Sequence, residues 1–414
     1  MKIGMLSQWF DPEPGPAAIP AVFAREFVAQ GHEVSVLTGF PNYPSGEIYA
    51  GYKQQLRSKS FVDGFAVTRV PLYANHDSSA RRRLANYASF ALSATTLGAG
   101  ALRGTDAIWV YNSPVTVALP LLAHSRFGKT PYFLQVQDLW PDSLIDSGMF
   151  PGGAVGRVGA AVIDKIVRVM ENRSVVIGVS SPGARRLILE RNSRLDPARI
   201  VDSPNPTDEA LFRPVSEINP SAVPEVPWAN YFTLMYVGAV GDVQGLDSLV
   251  DAATILRGER HIRVVVVGDG IARQRLESLC VARGLDNVTF VGRVDKSLVP
   301  GYTATADVQL VSLADRPFLR STTPSKIASL LASRVPIIGQ ISGDGADLIR
   351  KSGAGLIASP GDADALARAI STMAQAAGSE LEAYAANGRK YYEEHLAAGV
   401  VAANVVEALS AAMS

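Results

Sequence analysis

The amino-acid sequence predicts an α/β protein with two mostly parallel β-sheets. Short apolar runs alternate with helical patterns in both halves of the 414-residue chain, as in sheets that are covered by helices on both faces. In the second half, two apolar runs end in glycines, within residues 236–245 and 263–270. A helical pattern follows each of them, and a helix N-terminus attracts anions. We therefore expect this half to bind a phosphorylated ligand.

The composition argues against several classes of protein. The 39 basic and 39 acidic residues give no formal net charge, and the pI is near 7.0, which argues against a nucleic-acid-binding protein. The single cysteine, Cys280, lies in a helical apolar pattern, so we expect a buried thiol, no intrachain disulfide and a reducing compartment. Residues 1–7 enter a strand directly and lack the apolar core of a secretory signal, which predicts a cytoplasmic protein.

The first half is predicted to form one α/β domain, residues 1–203. The expected strands are residues 2–7, 33–38, 67–70, 107–111, 131–136 and 175–179, and the expected helices are residues 18–30, 82–102, 114–126, 155–173 and 182–191. Six prolines, including Pro220 and Pro224, then interrupt the periodicity, so we assign residues 204–230 to an interdomain linker.

The alternation restarts in a second predicted domain, residues 231–389. The expected strands are residues 232–237, 263–267, 288–291, 308–313 and 336–338, and the expected helices are residues 246–256, 272–282 and 325–332. A helical, alanine-rich segment spans residues 380–413, and we expect residues 390–414 to cross back onto the first domain. We expect the two similar halves to face each other across a cleft, with ligands beyond the carboxyl ends of the strands.

The glycine loop after the strand at residues 232–237 has the spacing GxxGxxxG, formed by Gly238, Gly241 and Gly245. It differs from the dinucleotide-binding pattern GxGxxG, and a purely structural turn explains these glycines equally well. Asp269 lies in the next glycine loop, where aspartate also serves as an ordinary turn residue.

Lys326 is the candidate cation of an anion site. Thr323 suits a helix N-cap and Pro324 the first helical position, so Lys326 falls in the first turn, where the helix dipole disfavours a positive charge. A bound anion would offset that effect. The alternative is a lysine whose ammonium group extends into solvent. We favour the anion site because two glycine loops accompany it.

A polar segment follows the strand predicted at residues 131–136. Asp138 is placed to bond a hydroxyl or accept a proton, and Trp140 to pack against a sugar ring. Capping of a helix or turn before Pro141 explains Asp138 equally well. An earlier loop, residues 9–18, is rich in proline and contains Gly15, so it either closes over a bound group or forms a plain turn.

Two patterns that resemble metal sites have simpler explanations. Asp362 and Asp364 form a DxD pattern, but a helical segment follows them, and acidic side chains are favoured at a helix N-terminus. His32 has no Cys or His partner at metal-binding spacing, and we expect it at the exit of the first helix. We therefore predict no metal site.

Residues 84–102 carry no charge and follow three arginines at residues 81–83. Their serine, threonine, asparagine and glycine content favours a soluble or interfacial helix over a membrane span. Together with Arg57 and Lys59, the arginines are consistent with peripheral contact to an anionic inner leaflet, at about 1 kcal/mol per charge. A solvated loop explains them equally well.

In their order along the chain, these segments resemble the retaining glycosyltransferases of family 4, also called glycosyl transferase group 1, and most closely the WbuB-type branch. The likeness rests on residues 11–18, 31–44 and 137–142 in the first half, and on residues 241–246, 268–270, 290–293 and 324–326 in the second. It spans nearly the whole chain. It implies the GT-B fold, in which two Rossmann-like domains face each other across a cleft.

The resemblance implies an enzyme without metal or cofactor that transfers a hexosyl or N-acetylhexosaminyl group. The donor would be a nucleotide sugar, UDP-linked, carrying for example an N-acetylhexosamine or a deoxy sugar. The acceptor would be a glycan or a polyprenyl- or lipid-linked sugar in surface polysaccharide or glycoconjugate biosynthesis. The implied donor-binding residues are Gly15, Gly241, Gln244, Gly245, Asp269, Arg293, Lys326 and Ser329. On the acceptor side it implies Gln137 and Trp140, with Asp138 as the catalytic residue.

Three positions depart from the family pattern. Gln244 stands where many members have lysine, and Gln137 where histidine is usual. Ser329 stands where a glutamate normally holds the donor ribose. These departures leave two alternatives open: a nucleotide-sugar epimerase of the same architecture, or a catalytically weak partner that binds a nucleotide sugar.

Overall fold

The computed structural model describes residues 1–76, 79–141, 153–219, 223 and 226–414. Asp142 of the predicted acceptor-side segment, and Pro220 and Pro224 of the predicted linker, lie outside these residues. The chain divides into two compact units. Unit 1 contains Met1–Pro206 together with Ala398–Ser414, and unit 2 contains Thr207–Ala397.

Unit 1 is built on an eight-stranded sheet. Its strands are β1 (Lys2–Leu6), β2 (Glu33–Gly39), β3 (Ser58–Val62), β4 (Phe65–Val70), β5 (Ala107–Tyr111), β6 (Tyr132–Gln135), β7 (Val176–Val179) and β8 (Ile200–Asp202). The order across the sheet is β3-β4-β2-β1-β5-β6-β7-β8, and each neighbouring pair is parallel except β3 and β4. The strand order reverses between β1 and β5, and such a switch point opens a crevice at the carboxyl edge.

Five described helices connect these strands. They are α1 (Ile19–Ala29), α2 (Ala80–Thr96), α3 (Ala118–Gly128), α4 (Gly153–Arg173) and α5 (Pro182–Arg191). In α1, Phe23 and Phe27 lie one turn apart and are both buried. In α5, Pro182 takes the first helical position, and the Ser181 side chain accepts a hydrogen bond from Ala184 N–H, as expected of an N-cap.

Unit 2 is built on a six-stranded, fully parallel sheet. Its strands are β9 (Phe232–Val237), β10 (Ile262–Val267), β11 (Val288–Gly292), β12 (Val308–Ser312), β13 (Ile337–Gln340) and β14 (Gly355–Ala358). Its helices are α6 (Asp247–Ile255), α7 (Arg273–Ala282), α8 (Val299–Thr303), α9 (Ser325–Ala332), α10 (Asp344–Ser352), α11 (Ala363–Gln375) and α12 (Gly378–His395). The strand order β11-β10-β9-β12-β13-β14 is that of a Rossmann fold, with its switch point between β9 and β12.

The last helix, α13 (Ala398–Met413), belongs to unit 1. Its residues Val401, Val405 and Leu409 are buried in the same apolar core as α1 and the unit 1 sheet. Among the described helices, the stretch Gly378–Met413 is long and apolar enough by composition to cross a membrane. Burial of the apolar face of α13 is what a core helix requires.

The predicted fold class is confirmed, and the differences lie in single elements. The short strands β3, β8 and β14 and the helices α8 and α10 were not predicted from the sequence. The last two helices were predicted as one, but the structure separates them where Leu396 and Ala397 N–H both donate to Tyr392 O at 2.8 Å. Cys280 is buried, and Asp362 caps α11 by accepting from Ala365 N–H at 2.8 Å, as predicted. His32 lies between α1 and β2, also as predicted.

Candidate functional site

Two glycine loops meet at the carboxyl ends of β9 and β10. Gly238 N–H donates to Val267 O and Val240 N–H donates to Asp269 O, both at 2.9 Å. A Cβ on Gly268 would lie 1.8 Å from Gly238 O, so no side chain fits at this position. The two loops therefore pack backbone against backbone, next to the switch point of unit 2.

The loop from Gly241 to Gly245 closes on itself and on the neighbouring strand. Gln244 Oε1 accepts from Gly241 N–H at 3.1 Å, and Ser312 Oγ donates to Gln244 O at 2.7 Å. Gly245 has a φ of 61°, and its Cβ would lie 3.2 Å from the Ala314 backbone. The structure thus gives Gln244 a role in shaping the loop, just before α6 begins.

Lys326 lies in the first turn of α9 and reaches the glycine loop after β9. Its Nζ lies 3.8 Å from the centroid of the Tyr236 ring, and 2.9 Å from the position that a Cβ on Gly238 would take. The residue keeps some exposed surface, but its ammonium group is enclosed by protein. This loss of hydration lowers the pKa of Lys326 to about 7. An anion beside this ammonium group would stabilise its charged form.

A cavity of about 240 Å³ opens beside these loops, and Gly238, Asp269 and Arg293 are among its lining residues. Arg293 follows β11 and makes no hydrogen bond or ion pair with any residue that the structure describes. Asp269 instead accepts from Gly270 N–H at 2.8 Å, and its Oδ1 lies 3.9 Å from Arg273 Nη1. Asp269 is therefore engaged as a turn residue, whereas the Arg293 guanidinium is available for a ligand.

Ser329 lies three residues after Lys326 on α9, a spacing that places both on one helix face. Its Oγ lies 2.7 Å from Thr207 Oγ1. The hydroxyl at the position of the usual glutamate is therefore paired with another hydroxyl, and this pair brings no negative charge next to the ammonium group of Lys326.

Asp138 is the main ionisable group at the carboxyl edge of the unit 1 sheet. It follows β6, and its Oδ2 accepts from Ser113 Oγ at 2.6 Å, where Ser113 follows β5. Burial raises the pKa of Asp138, and the hydrogen bond from Ser113 opposes that change. The arrangement places a carboxyl group at the carboxyl ends of β5 and β6, where it can orient a hydroxyl.

The two neighbours of Asp138 on the acceptor side have structural partners. Gln137 forms two hydrogen bonds with Asn205, at 2.7 and 2.8 Å. Trp140 is only 8% exposed, and its indole N–H donates to Asn112 O at 3.3 Å. These contacts fix the segment after β6 and leave the Trp140 ring little surface for a sugar.

Gly15 lies in the loop between β1 and α1, with a φ of 67° and open space where a Cβ would point. Glu13 holds this loop by accepting hydrogen bonds from three backbone N–H groups, at 2.7 to 3.0 Å, those of Phe10, Asn42 and Tyr43. Burial raises the pKa of Glu13, although these hydrogen bonds oppose the change. The carboxylate ties the loop after β1 to the loop after β2.

Two family models match this chain over most of its length. The model described as a glycosyl transferase 4-like domain matches residues 15–206, and the model described as glycosyl transferases group 1 matches residues 231–376. The chain belongs to the group 1 glycosyltransferases. The family predicted from the ordered motifs is thereby confirmed.

Individual relatives agree with this family. A protein of Escherichia coli K12, named as the colanic acid biosynthesis glycosyl transferase WcaI, is 28% identical over 352 residues, which cover 80% of this glycosyltransferase and 81% of the relative. The crystal structure of Anabaena Alr3699/HepE in complex with UDP and glucose has a TM-score of 0.67 at 15% identity and covers 99% of both chains. The crystal structure of WaaG, a glycosyltransferase involved in lipopolysaccharide biosynthesis, has a TM-score of 0.63 at 16% identity, over 97% of this chain and 98% of WaaG. The structural matches show the GT-B fold.

The glycosyltransferase brings the predicted residues together within each unit. In unit 2, the loops and the start of α9 gather Gly241, Gln244, Gly245, Asp269, Arg293, Lys326 and Ser329 near the carboxyl edge of the sheet. In unit 1, Gln137, Asp138 and Trp140 share one segment, and Gly15 lies in a different loop. Sequence reasoning missed the partners Tyr236, Thr207 and Ser113. Only Ser113 had a usable signal, since it follows a predicted strand at the edge where ligands bind.

Proposed function

We propose that this glycosyltransferase moves a sugar from a UDP-linked donor to a glycan or lipid-linked acceptor, with retention at the anomeric carbon, in surface polysaccharide biosynthesis. The observation that carries the proposal is the Lys326 ammonium group, enclosed beside Gly238 at the carboxyl end of β9. The relative named for colanic acid biosynthesis and the UDP-bound HepE crystal support the pathway class and the nucleotide.

Unit 2 supplies the chemistry of donor binding in this proposal. The glycine loops leave room for a diphosphate, and Lys326 and Arg293 supply positive charge. Such cations stabilise the diphosphate as it leaves, a role that metal ions play in other transferases. We therefore propose a metal-independent reaction of the hexosyl or N-acetylhexosaminyl type.

Unit 1 supplies the acceptor chemistry. Asp138 accepts a hydrogen bond from the acceptor hydroxyl and orients its oxygen toward the anomeric carbon. The new carbon–oxygen bond forms on the face from which the diphosphate departs, and the acceptor proton passes to the departing diphosphate. Asp138 thus positions and polarises the acceptor, and UDP is released with its proton.

We also propose a cytoplasmic enzyme with peripheral contact to the inner membrane face. The support comes from α2, whose residues Leu84 and Leu92 are 61% and 59% exposed and follow the exposed Arg81 and Arg82. Apolar and basic side chains together favour an anionic lipid surface.

Replacing Asp138 by asparagine tests the proposed function. UDP-glucose and UDP-N-acetylglucosamine are offered to the wild type, and binding is measured by calorimetry and UDP release by a coupled assay with and without EDTA. We expect Asp138→Asn to bind the donor within about threefold of the wild type, because Lys326, Arg293 and the two glycine loops of the proposed donor site lie in unit 2. Its turnover should fall at least about a hundredfold, because the acceptor is no longer oriented.

Asp196→Asn is the matched control, since Asp196 caps a short helix in unit 1 and asparagine caps equally well. Turnover of this variant should equal that of the wild type. Failure of the wild type to bind any UDP-sugar at millimolar concentration would overturn the proposal. Isotope exchange at a sugar carbon without acceptor would instead identify an epimerase.

A further inference from the structure

Three half-buried aromatic rings cluster at the carboxyl edge of the unit 1 sheet. They are Trp9 after β1, Tyr43 after β2 and Tyr87 on α2. The Trp9 ring centroid lies 5.5 Å from that of Tyr43 and 6.3 Å from that of Tyr87. We call these three side chains the aromatic cluster. Their exposed faces lie at the edge where open α/β sheets bind ligands.

Each ring of the aromatic cluster is next in sequence to a residue of a buried amide network. Gln8 Nε2 donates to Asn86 Oδ1 at 2.6 Å, and Asn86 Nδ2 donates to Asn42 Oδ1 at 3.1 Å. All three amide residues are 1% exposed. Buried networks of this kind rigidify the elements that they join. The network therefore fixes the three backbone segments from which the aromatic rings project.

The aromatic cluster lies beside the Asp138 carboxylate. Thr116 Oγ1 donates to Tyr87 O at 3.2 Å, and this ties Tyr87 to the segment after β5 that also carries Ser113, the partner of Asp138. Burial raises the pKa of Tyr87, and the charge of Asp138 adds to that increase. The Asp138 carboxylate thus lies close enough to Tyr87 for its charge to act on that ring of the aromatic cluster.

Arg83 lies near the aromatic cluster. It precedes Tyr87 by one turn of α2, a spacing that places both on one helix face. Its charge opposes the increase in the pKa of Tyr87. Burial lowers the pKa of His76, and the charge of Arg83 lowers it further. The centroid of the His76 ring lies 4.7 Å from that of Tyr43. A guanidinium in this position matches a phosphate in charge and geometry.

We propose that the acceptor sugar stacks on Trp9, Tyr43 and Tyr87 beside Asp138, and that Arg83 binds a phosphate attached to that sugar. The inference rests on the proposed function and specifies its acceptor: a sugar carried on a phosphate, as in a lipid diphosphate-linked glycan. One face of a pyranose ring is largely C–H and packs on aromatic rings, while its hydroxyls remain free for Asp138.

Direct binding tests the proposal without requiring turnover. The probes are the 1-phosphates of glucose, galactose and N-acetylglucosamine, titrated with saturating UDP present so that a donor site is occupied. The readout is tryptophan fluorescence, and a change on binding reports Trp9. Trp9 is half-buried, whereas Trp109, Trp140 and Trp228 are at most 8% exposed and so are shielded from a bound sugar. We expect at least one probe to bind, and Tyr87→Leu to weaken that binding at least tenfold.

Three further variants sharpen the comparison. Tyr87→Phe keeps the ring and should bind within about twofold of the wild type, and it serves as the folding control for Tyr87→Leu. Phe61→Leu removes an aromatic ring that is 75% exposed on β3, outside the aromatic cluster, and should change nothing. Arg83→Met should weaken binding of the sugar phosphate at least fivefold and leave binding of the corresponding methyl glycoside unchanged.

The outcomes separate this proposal from the proposed function. A wild type that binds none of the three sugar phosphates, or a Tyr87→Leu variant that binds like Phe61→Leu, overturns the aromatic cluster as acceptor surface while UDP-sugar binding stands. A wild type that binds the sugar phosphates but no UDP-sugar overturns the proposed function and supports the surface. Equal loss of sugar phosphate and methyl glycoside in Arg83→Met overturns the phosphate contact.

Discussion

Lys326 is the residue on which the proposed donor site depends most. Its ammonium group lies over the Tyr236 ring and beside Gly238, and its pKa is lowered to about 7 by burial. Near neutral pH the side chain therefore exists in both protonation states. A diphosphate selects the charged state, because opposite charges favour ionisation of both partners.

A pH titration of donor binding follows from this pKa. Below pH 6 Lys326 is charged before and after binding, so the affinity for UDP-glucose should be constant. Above pH 7 the free protein must take up a proton on binding, so the affinity should fall, by about tenfold between pH 6 and pH 8. The diphosphate of UDP-glucose is fully ionised throughout this range, so calorimetry reports the protein group.

Two variants identify the group responsible. Lys326→Met should bind UDP-glucose weakly and without this pH dependence. Lys351→Met removes an exposed lysine of α10 and should keep the wild-type profile. A flat profile in the wild type would show that Lys326 does not meet the diphosphate.

The sequence indicated candidate residues of the site more readily than the partners that those residues contact. Lys326 was identifiable because proline and threonine mark the start of its helix. Asp138 was identifiable because it follows a buried strand. Tyr236 and Thr207 were not, because an apolar run and a linker give no local sign of what tertiary packing places against them. Trp140 was predicted to pack against a sugar ring, but its side chain is only 8% exposed. The sequence alone does not indicate whether an indole ring is buried or exposed.

At the level of elements, the strands β9 and β10 end in loops that leave no space between their backbones. Gly268 has a φ of 141°, and its Cβ would lie 1.8 Å from Gly238 O. Both the conformation and the contact exclude any other residue. The close approach of these loops gives the site its shape.

Gly268→Ala should therefore destabilise unit 2. We expect a loss of at least about 2 kcal/mol in the free energy of unfolding, because a Cβ displaces backbone rather than a side chain. UDP-sugar binding should fall with it, as the two loops separate. Chemical denaturation followed by Trp228, a buried residue of unit 2, measures the change.

Gly258→Ala is the matched control for this substitution. Gly258 also lies in unit 2, and its Cβ would meet nothing within 4 Å. Its unfolding free energy should change by no more than about 0.5 kcal/mol. Equal effects at the two positions would show that the contact between the loops contributes little.

The strands that were not predicted from the sequence are short or poorly buried. Four of the five residues of β3 are exposed and the fifth, Ser58, is partly buried, as expected of an antiparallel edge strand, so its residues SKSFV have no apolar period. The strand β8 has only three residues, and three of the four residues of β14 are partly exposed, whereas the four-residue strands β6, β7 and β13 are fully buried and were predicted. The predicted bounds of β5 and β9 agree with the structure. Burial on both faces of the sheet requires apolar runs, and these runs end where the strands end.

At the level of the whole molecule, the order of the motifs carried the identification. Each glycine loop taken alone is equally consistent with a plain turn. The two family models, however, match residues 15–206 and residues 231–376, one after the other along the chain. The proposed membrane contact also concerns the whole molecule, because it requires one exposed face to carry both apolar and basic side chains.

Vesicle flotation tests that contact. The protein should bind vesicles of phosphatidylglycerol and phosphatidylcholine but not pure phosphatidylcholine, since the attraction is to anionic lipid. Reversing two charges in Arg81→Glu/Arg82→Glu should weaken binding at least tenfold, from about 1 kcal/mol per charge. Arg257→Glu/Arg260→Glu, at exposed positions of unit 2, should float as the wild type does. Equal binding by both double variants would exclude α2 as the contact.

The return of α13 to unit 1 has a consequence for biosynthesis on the ribosome. The apolar core of unit 1 that buries Val401, Val405 and Leu409 stays incomplete until translation has passed Thr207–Ala397. At about 5–20 residues per second, that interval lasts on the order of 10–40 s. During this time the nascent chain exposes an apolar face to chaperones. Unit 1 is completed only after α13 has left the ribosome.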